Sequence, residues 1–356
     1  MGTFRILSVI IVGFLLVNQY SCKSDDPIDC VPVTEEAIPY EMELPRGFPP
    51  MSIPVDNPLT VQGVNLGRHL FYDNRLSGDN TQSCATCHLA ENSFSDPNRF
   101  SEGITGALGD RNAMAIINLG YAYSLFWDGR SSTLEEQALE PVTNPIEMNA
   151  TWPEVLIKLN EDDYYKEQFK IAFGVDVIDS TDVAKAIAQF ERTMLSGESK
   201  FDKFLRKEVP FTESELRGRD IFDTERGDCF HCHGTRLLTG FQDQNNGVQQ
   251  VMEDLGVGGV NGDPNDIGKF KPPSLRNIEL TGPYMHDGRF ETLEEVIEFY
   301  NSGVNQSSPN VSPLMLKPNR INGSLNFTQQ EKDDLLAYLL TFTDLEFTTN
   351  PDFLEP

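Results

Sequence analysis

Cys84-Ala85-Thr86-Cys87-His88 and Cys229-Phe230-His231-Cys232-His233 are the two stretches on which the reading of this chain turns. In each, two thiols stand one helical turn apart and an imidazole follows directly. That spacing lets both sulfurs reach the two vinyl groups of one haem while the histidine turns onto its iron, the covalent attachment pattern of a c-type cytochrome. A redox C-x-x-C pair or a zinc site with an accidental histidine would look the same over five residues. Two intact copies in one duplicated, exported chain weigh against that. His88 and His233 are therefore the expected proximal iron ligands, and Cys84, Cys87, Cys229 and Cys232 the expected attachment points of two haems.

The residues around the motifs repeat as well. Gly67-Arg68-His69-Leu70-Phe71 precedes the first motif and Gly218-Arg219-Asp220-Ile221-Phe222 the second, both with helical apolar spacing. Arg111-Asn112 follows the first motif and Arg276-Asn277 the second. Then comes Asp128-Gly129-Arg130 with Thr133-Leu134-Glu135-Glu136, matched by Asp287-Gly288-Arg289 with Thr292-Leu293-Glu294-Glu295. Thr133 with Glu136 and Thr292 with Glu295 are capping boxes, so each half enters a helix from a tight Asp-Gly turn. Further boxes run from Thr212 to Glu215 and from Thr328 to Glu331, residues 151–160 and 182–195 have helical spacing, and residues 245–266 read as loop. The expected fold is mainly α, two tandem cytochrome-c-like haem domains related by internal duplication. Their expected extents are residues 50–205 and 206–346, followed by a tail, residues 347–356.

The first residues read differently. Arg5 and an apolar run from Ile6 to Val17, too short to span a bilayer, form an export signal over residues 1–21. Cys22 is a candidate lipid site, although Gln19 and Tyr20 depart from the usual small or aliphatic residues, and simple cleavage nearby is the rival. Residues 22–49, rich in Asp, Glu and Pro, read as a disordered tether. With Cys30 left over as a free thiol or a partner for Cys22, no disulfide framework is implied. Against 55 Asp and Glu stand only 28 Lys and Arg, a net charge of −27. That excludes nucleic acid as a partner and favours a basic protein one, such as a small electron donor. Export places the protein in the periplasm or, through Cys22, on a membrane; a homodimer is left open.

Among the five histidines, three remain as sixth ligands, and none is well placed. His231 lies inside its own motif, His69 is matched by Asp220, and His286, just before an Asp-Gly-Arg turn, suits a hydrogen bond at a haem edge. Leu293, Val296, Ile297 and Tyr300 share one helical face, which points Tyr300 at the second haem. By spacing alone a core aromatic is the simpler reading, but tyrosinate ligation is established chemistry. Its counterpart, Pro141, cannot ligate iron, so the two haems should be unlike.

Taken together, these residues resemble the bacterial di-haem cytochrome c peroxidase and MauG family from Leu66 to about Thr343. The resemblance rests on both haem motifs, Phe126-Trp127-Asp128-Gly129-Arg130, Asn144-Pro145-Ile146-Glu147-Met148, Pro273-Ser274-Leu275-Arg276-Asn277 and Pro283-Tyr284-Met285-His286-Asp287-Gly288. It implies a peroxide site at the N-terminal haem, an electron-transfer centre at the C-terminal haem, a relay through Trp127 and a distal acid-base at Glu147. A carboxylate suits that place because splitting peroxide needs a proton moved from one oxygen to the other. No histidine stands in residues 99–110, where peroxidases activated by reduction carry a distal one. Tyr300 stands where those enzymes place methionine, with Met315 the rival ligand. Both features are as in MauG. Tyrosinate would stabilise ferric iron and lower the second haem's potential. The resemblance also implies calcium at Asn112, Thr281 and Pro283, where ordinary turn residues would read alike.

Three functions are compatible with this reading. One is a peroxidase reducing hydrogen peroxide to water with electrons from a donor protein. Another is a MauG-like oxidase of a protein or organic substrate. The third is a non-enzymatic carrier or haem sensor with both irons six-coordinate.

Overall fold

The structure, a computed structural model, describes residues 37–240, 242–316 and 323–356. The export signal, Cys22, Cys30 and residues 22–36 of the expected tether lie outside the described residues. Among the described residues the fold is mainly α: helices are joined by long loops, and β-pairing is confined to isolated bridges. No helix among them is long and apolar enough to cross a membrane.

Each half is built on a closely packed helix pair. In the first, Val61–Phe71 packs on Ser180–Thr193; in the second, Glu213–Phe222 packs on Gln329–Leu339. The close approach is made by glycine at matching positions. A Cβ on Gly67 would lie 1.9 Å from the Ala186 carbonyl oxygen, and one on Gly218 would lie 1.9 Å from that of Asp334. The repeated Gly-Arg pair thus serves the same packing twice, consistent with duplication. Around these pairs lie two apolar cores, one with Leu66, Leu70, Val155, Phe169 and Ile187, the other with Phe201, Phe222, Ile297, Tyr338 and Phe342. The second core begins as early as Phe201.

Hydroxyl caps start most of the longer helices. Thr133, Thr212, Thr292 and Thr328 each accept the backbone N–H three residues on. The box is reciprocal at Thr212, Thr292 and Thr328. At Thr133 it is not: Glu136 accepts from Ser132 instead, at the backbone N–H and the hydroxyl. The helices expected at residues 151–160 and 182–195 are observed as Trp152–Glu161 and Ser180–Thr193.

Both flanking segments are ordered parts of the body. Residues 37–49 pack on the fold rather than hanging from it, correcting their share of the expected tether. Tyr40 donates to the Leu59 carbonyl, Phe48 stacks edge-on against Tyr121, and the Arg276 guanidinium lies over the Phe48 ring. Here the prolines stiffen an extended strip that an aromatic anchors, which acidic composition alone does not reveal. The expected tail is likewise anchored on the body, through two buried aromatics. Phe347 and Phe353 join Phe71, Phe94 and Phe190 in a cluster on the first half. Tyr72 donates to the Phe353 carbonyl and Arg68 to that of Leu354.

Candidate haem centres

The first motif forms a short helix, Cys84–Cys87, begun at Ser83, and the second lies at Phe230–His233. Each motif histidine is oriented in the same way. His88 Nδ1 lies 2.8 Å from the Phe94 carbonyl and His233 Nδ1 lies 3.1 Å from that of Leu238. Since a carbonyl only accepts, both nitrogens carry the proton and Nε2 is left for iron, the usual tautomer of a metal-bound imidazole. Burial lowers the pKa of both rings, that of His233 to about 4, so both stay neutral as ligation requires. Phe94 and Leu238 themselves sit at φ +58° and +53°, a left-handed conformation rare for such side chains. This shared device escaped the sequence, because a carbonyl ligand carries no residue-type signature.

Whether these residues fit haem can be tested at the second motif. A solvent-connected cleft runs beside it, bordered by Cys229, Cys232, His233, Leu293, Ile297 and Leu339. Its lining is predominantly apolar, as the burial of a large planar macrocycle requires. His286, buried on its wall, has no hydrogen-bond partner for Nε2 among the described residues. An apolar slot beside two cysteines and a neutral histidine, with a buried polar atom on the wall, fits a haem. The expected edge role of His286 is compatible with that place. Its ring stacks on Phe270 at 3.9 Å and meets Trp127 edge-on at 6.5 Å.

Tyr300 lines the same cleft with Leu293, Val296 and Ile297, as the helical spacing requires. It lies on a π-helical turn, Phe299–Gly303, a local widening often found at functional sites. Asn246 Nδ2 is 3.3 Å from its hydroxyl oxygen. Met315 also borders the cleft, so both rival ligands are present. Asn246 was not singled out from the sequence; it lies in the segment read only as loop.

Trp127 is 9% exposed and also faces this cleft. Its indole N–H donates to the Asn112 carbonyl at 2.8 Å, and its own carbonyl accepts from Lys271 N. Asn112, Thr281 and Pro283 border the cleft together, and the Asn112 side-chain NH₂ donates to the Asn98 carbonyl, which turns Oδ1 the other way. The residues beside Trp127 join the halves: Arg111 bridges Asp128 and Asp254 at 2.5 and 2.7 Å. Lys271, half-buried there, has its pKa lowered to about 8 by desolvation.

Glu147 stands near the first motif, its carboxylate within electrostatic reach of Cys84 and Cys87. Burial raises its pKa, opposed by a 2.6 Å hydrogen bond from Asn144 and by Arg130. The histidine-free loop packs straight on it: Ile104 N donates to the Glu147 carbonyl, and a Cβ on Gly103 would fall 2.7 Å from that oxygen. The other histidines are placed elsewhere, His69 against Tyr164 and His231 on Asp228 at 2.5 Å.

Comparison with known proteins agrees with this geometry. Residues 61–210 match the family model described as di-haem cytochrome c peroxidase. The chain is 33% identical over 325 residues to cytochrome-c peroxidase IdrP1 of Pseudomonas sp. (strain SCT), covering 82% of this chain and 83% of that one. It is 36% identical over 299 residues to methylamine utilization protein MauG of Methylorubrum extorquens, covering 81% and 80%. Among solved structures, a MauG-like protein associated with microbial copper homeostasis superposes with a TM-score of 0.82 at 37% identity, covering 89% of this chain and 99% of that one. Two covalent haem motifs, a mainly helical two-core fold and these relatives lead to one statement: the chain belongs to the di-haem cytochrome c peroxidase and MauG family and is an oxidoreductase with two c-type haems.

Proposed function

We propose that the protein reduces hydrogen peroxide to water at the centre held by Cys84, Cys87 and His88. The observation that carries this reading is Glu147, a carboxyl with a raised pKa within electrostatic reach of that motif and oriented by Asn144. Bound haem supplies the Lewis-acid and redox chemistry of O–O cleavage. The protein's own residues then handle the protons. Ionised Glu147 takes the proton from the near peroxide oxygen and returns it to the leaving one, first base and then acid. The balance is H₂O₂ with two protons and two electrons giving two waters, the electrons arriving from a small reductant protein. Trp127, between Asn112 and the cleft of the second motif, is assigned to the path between the centres. His286 is assigned to the haem edge, and Asn112, Thr281 and Pro283 to calcium. The halves divide close to the expected 205/206 boundary, with residues 201–205 packing on the second core, and the exported protein is held at a membrane through Cys22.

Replacing Glu147 by Gln keeps the shape and removes the base. Peroxide turnover should fall by about 10²–10⁴-fold with haem content unchanged; full turnover would refute the role. Tyr300 favours a second reading on the same centre, in which the two electrons come from a protein or organic substrate as in a MauG-like oxidase. A tyrosinate there lowers the second haem's potential and makes it a poor acceptor from a high-potential donor. Peroxide-driven substrate oxidation outpacing oxidation of small cytochromes would select this reading.

A further inference from the structure

The proximal loop of the first motif is held from the far end of the chain. Ser93 and Phe94, neither of them glycine, both adopt left-handed φ angles of +55° and +58°. Such a pair persists only where surroundings over-determine it. Three kinds of contact do so. Asn277, in the second half, donates to the Ser93 hydroxyl at 2.8 Å and accepts from Asp344 N at 2.6 Å. The Phe94 ring, wholly buried, packs edge-on against Phe347 at 5.5 Å and meets Phe353 at 6.5 Å. The closing segment is in turn tied down by Tyr72 on the Phe353 carbonyl and by Arg68 on the carbonyls of Leu354 and Glu355. What all of this fixes is the direction of the Phe94 carbonyl, which accepts from Ile116 N and from His88 Nδ1.

We infer that Asn277, Phe347 and Phe353 form a clamp that holds the Phe94 carbonyl on His88 Nδ1 and so sets how basic that imidazole is toward its iron. The inference rests on His88 as proximal ligand. The chemistry is that of any imidazole ligand: a well-aligned acceptor on Nδ1–H draws the proton away, strengthens the Nε2 donor and stabilises ferric iron. Among the described residues the second centre lacks the device. Leu238, the matching acceptor, is fixed by its own half through Leu275 N and the neighbouring Ser274. Phe94 is therefore where the second half and the chain end reach the first centre. Asn277, Phe347 and Phe353 are positioning residues, acting only through Phe94.

The test uses the full-length protein with both haems attached. Phe353→Ala opens the ring contact and Phe353→Leu restores most of its volume. Tyr72→Phe combined with Arg68→Gln loosens the segment at its edge without emptying the core, and serves if Phe353→Ala fails to accumulate. Resonance Raman of the reduced protein reads the iron–His88 stretch, and spectropotentiometry reads the two haems separately. Phe353→Ala and the edge variant should lower that stretching frequency and raise the first haem's potential. The second haem's potential should stay put, and Phe353→Leu should recover most of the shift. A lowered melting temperature with an unmoved iron–histidine band, or equal shifts at both haems, would overturn the clamp. The peroxide assignment fails separately, because Glu147→Gln acts on turnover and should leave the iron–His88 band where it is.

Discussion

Replacing Asp202 by Asn removes one charge from the most deeply buried ion pair described. Arg276 and Asp202 have side chains 0% and 1% exposed, joined by two hydrogen bonds of 2.8 and 2.9 Å. Ser199 adds a hydroxyl donor at 2.7 Å, and Arg276 reaches on to the Arg236 carbonyl at 2.6 Å. Truncating one partner of such a pair leaves a buried charge uncompensated and costs roughly 3–5 kcal/mol. With about 2–4 °C lost per kcal/mol at this domain size, the melting temperature should fall on the order of 10 °C. Because Arg276 supports the 236–238 loop that fixes His233, the loss should register in the Soret band and in far-UV circular dichroism alike. The pH dependence has a definite sign. Burial alone would raise the Asp202 pKa, but Arg276 and Ser199 hold it below the ordinary range. Its contribution is thus complete above the unfolded value of about 3.9 and is lost as pH falls through the lower folded value. The gap between the two proteins should be full at neutral pH and close only in strong acid. A fall of less than about 1 kcal/mol at neutral pH, well under the cost of an orphaned buried charge, would refute the argument. Asp176→Asn, on an exposed pair with Lys170, is the control and should leave the melting temperature unchanged.

Three further outcomes follow from the site. Asn144→Ala removes the hydrogen bond that favours ionised Glu147; the acidic limb of the kcat/KM profile should move to higher pH, and an unmoved limb would count against Glu147 as base. Tyr300→Phe should change the EPR signal of the second haem and raise its potential if the tyrosine ligates; an unaltered signal would pass the ligand to Met315. Gly218→Ala drives a Cβ to 1.9 Å from the Asp334 carbonyl and 2.8 Å from Tyr338 Cβ, so thermal unfolding should show a loss of about 1–3 kcal/mol; a neutral substitution would show that the helix pair yields freely.

What the sequence made legible was local or repeated. The haem motifs, the Thr caps and the paired Gly67 and Gly218 each work through neighbours a few residues away, or occur twice. Tyr300 could be aimed at the second centre from a four-residue helical face. The carbonyls of Phe94 and Leu238 were not legible, since any residue offers a carbonyl. Nor was the Arg276 contact with Asp202, which joins residues 74 positions apart. Residues 37–49 misled for a related reason: a polar, proline-containing strip can be held by one aromatic, and Phe48 supplies it. Asn246 lay hidden in a polar loop whose composition favours turns, until folding brought it to the Tyr300 hydroxyl.

The central claim is that one duplicated haem site is open for chemistry beneath Glu147 while the other is closed and serves electron transfer. EPR of the resting, fully ferric protein tests it most directly. One high-spin and one low-spin haem is the predicted spectrum, with the high-spin signal alone responding to peroxide. Two low-spin signals that peroxide does not alter would contradict it.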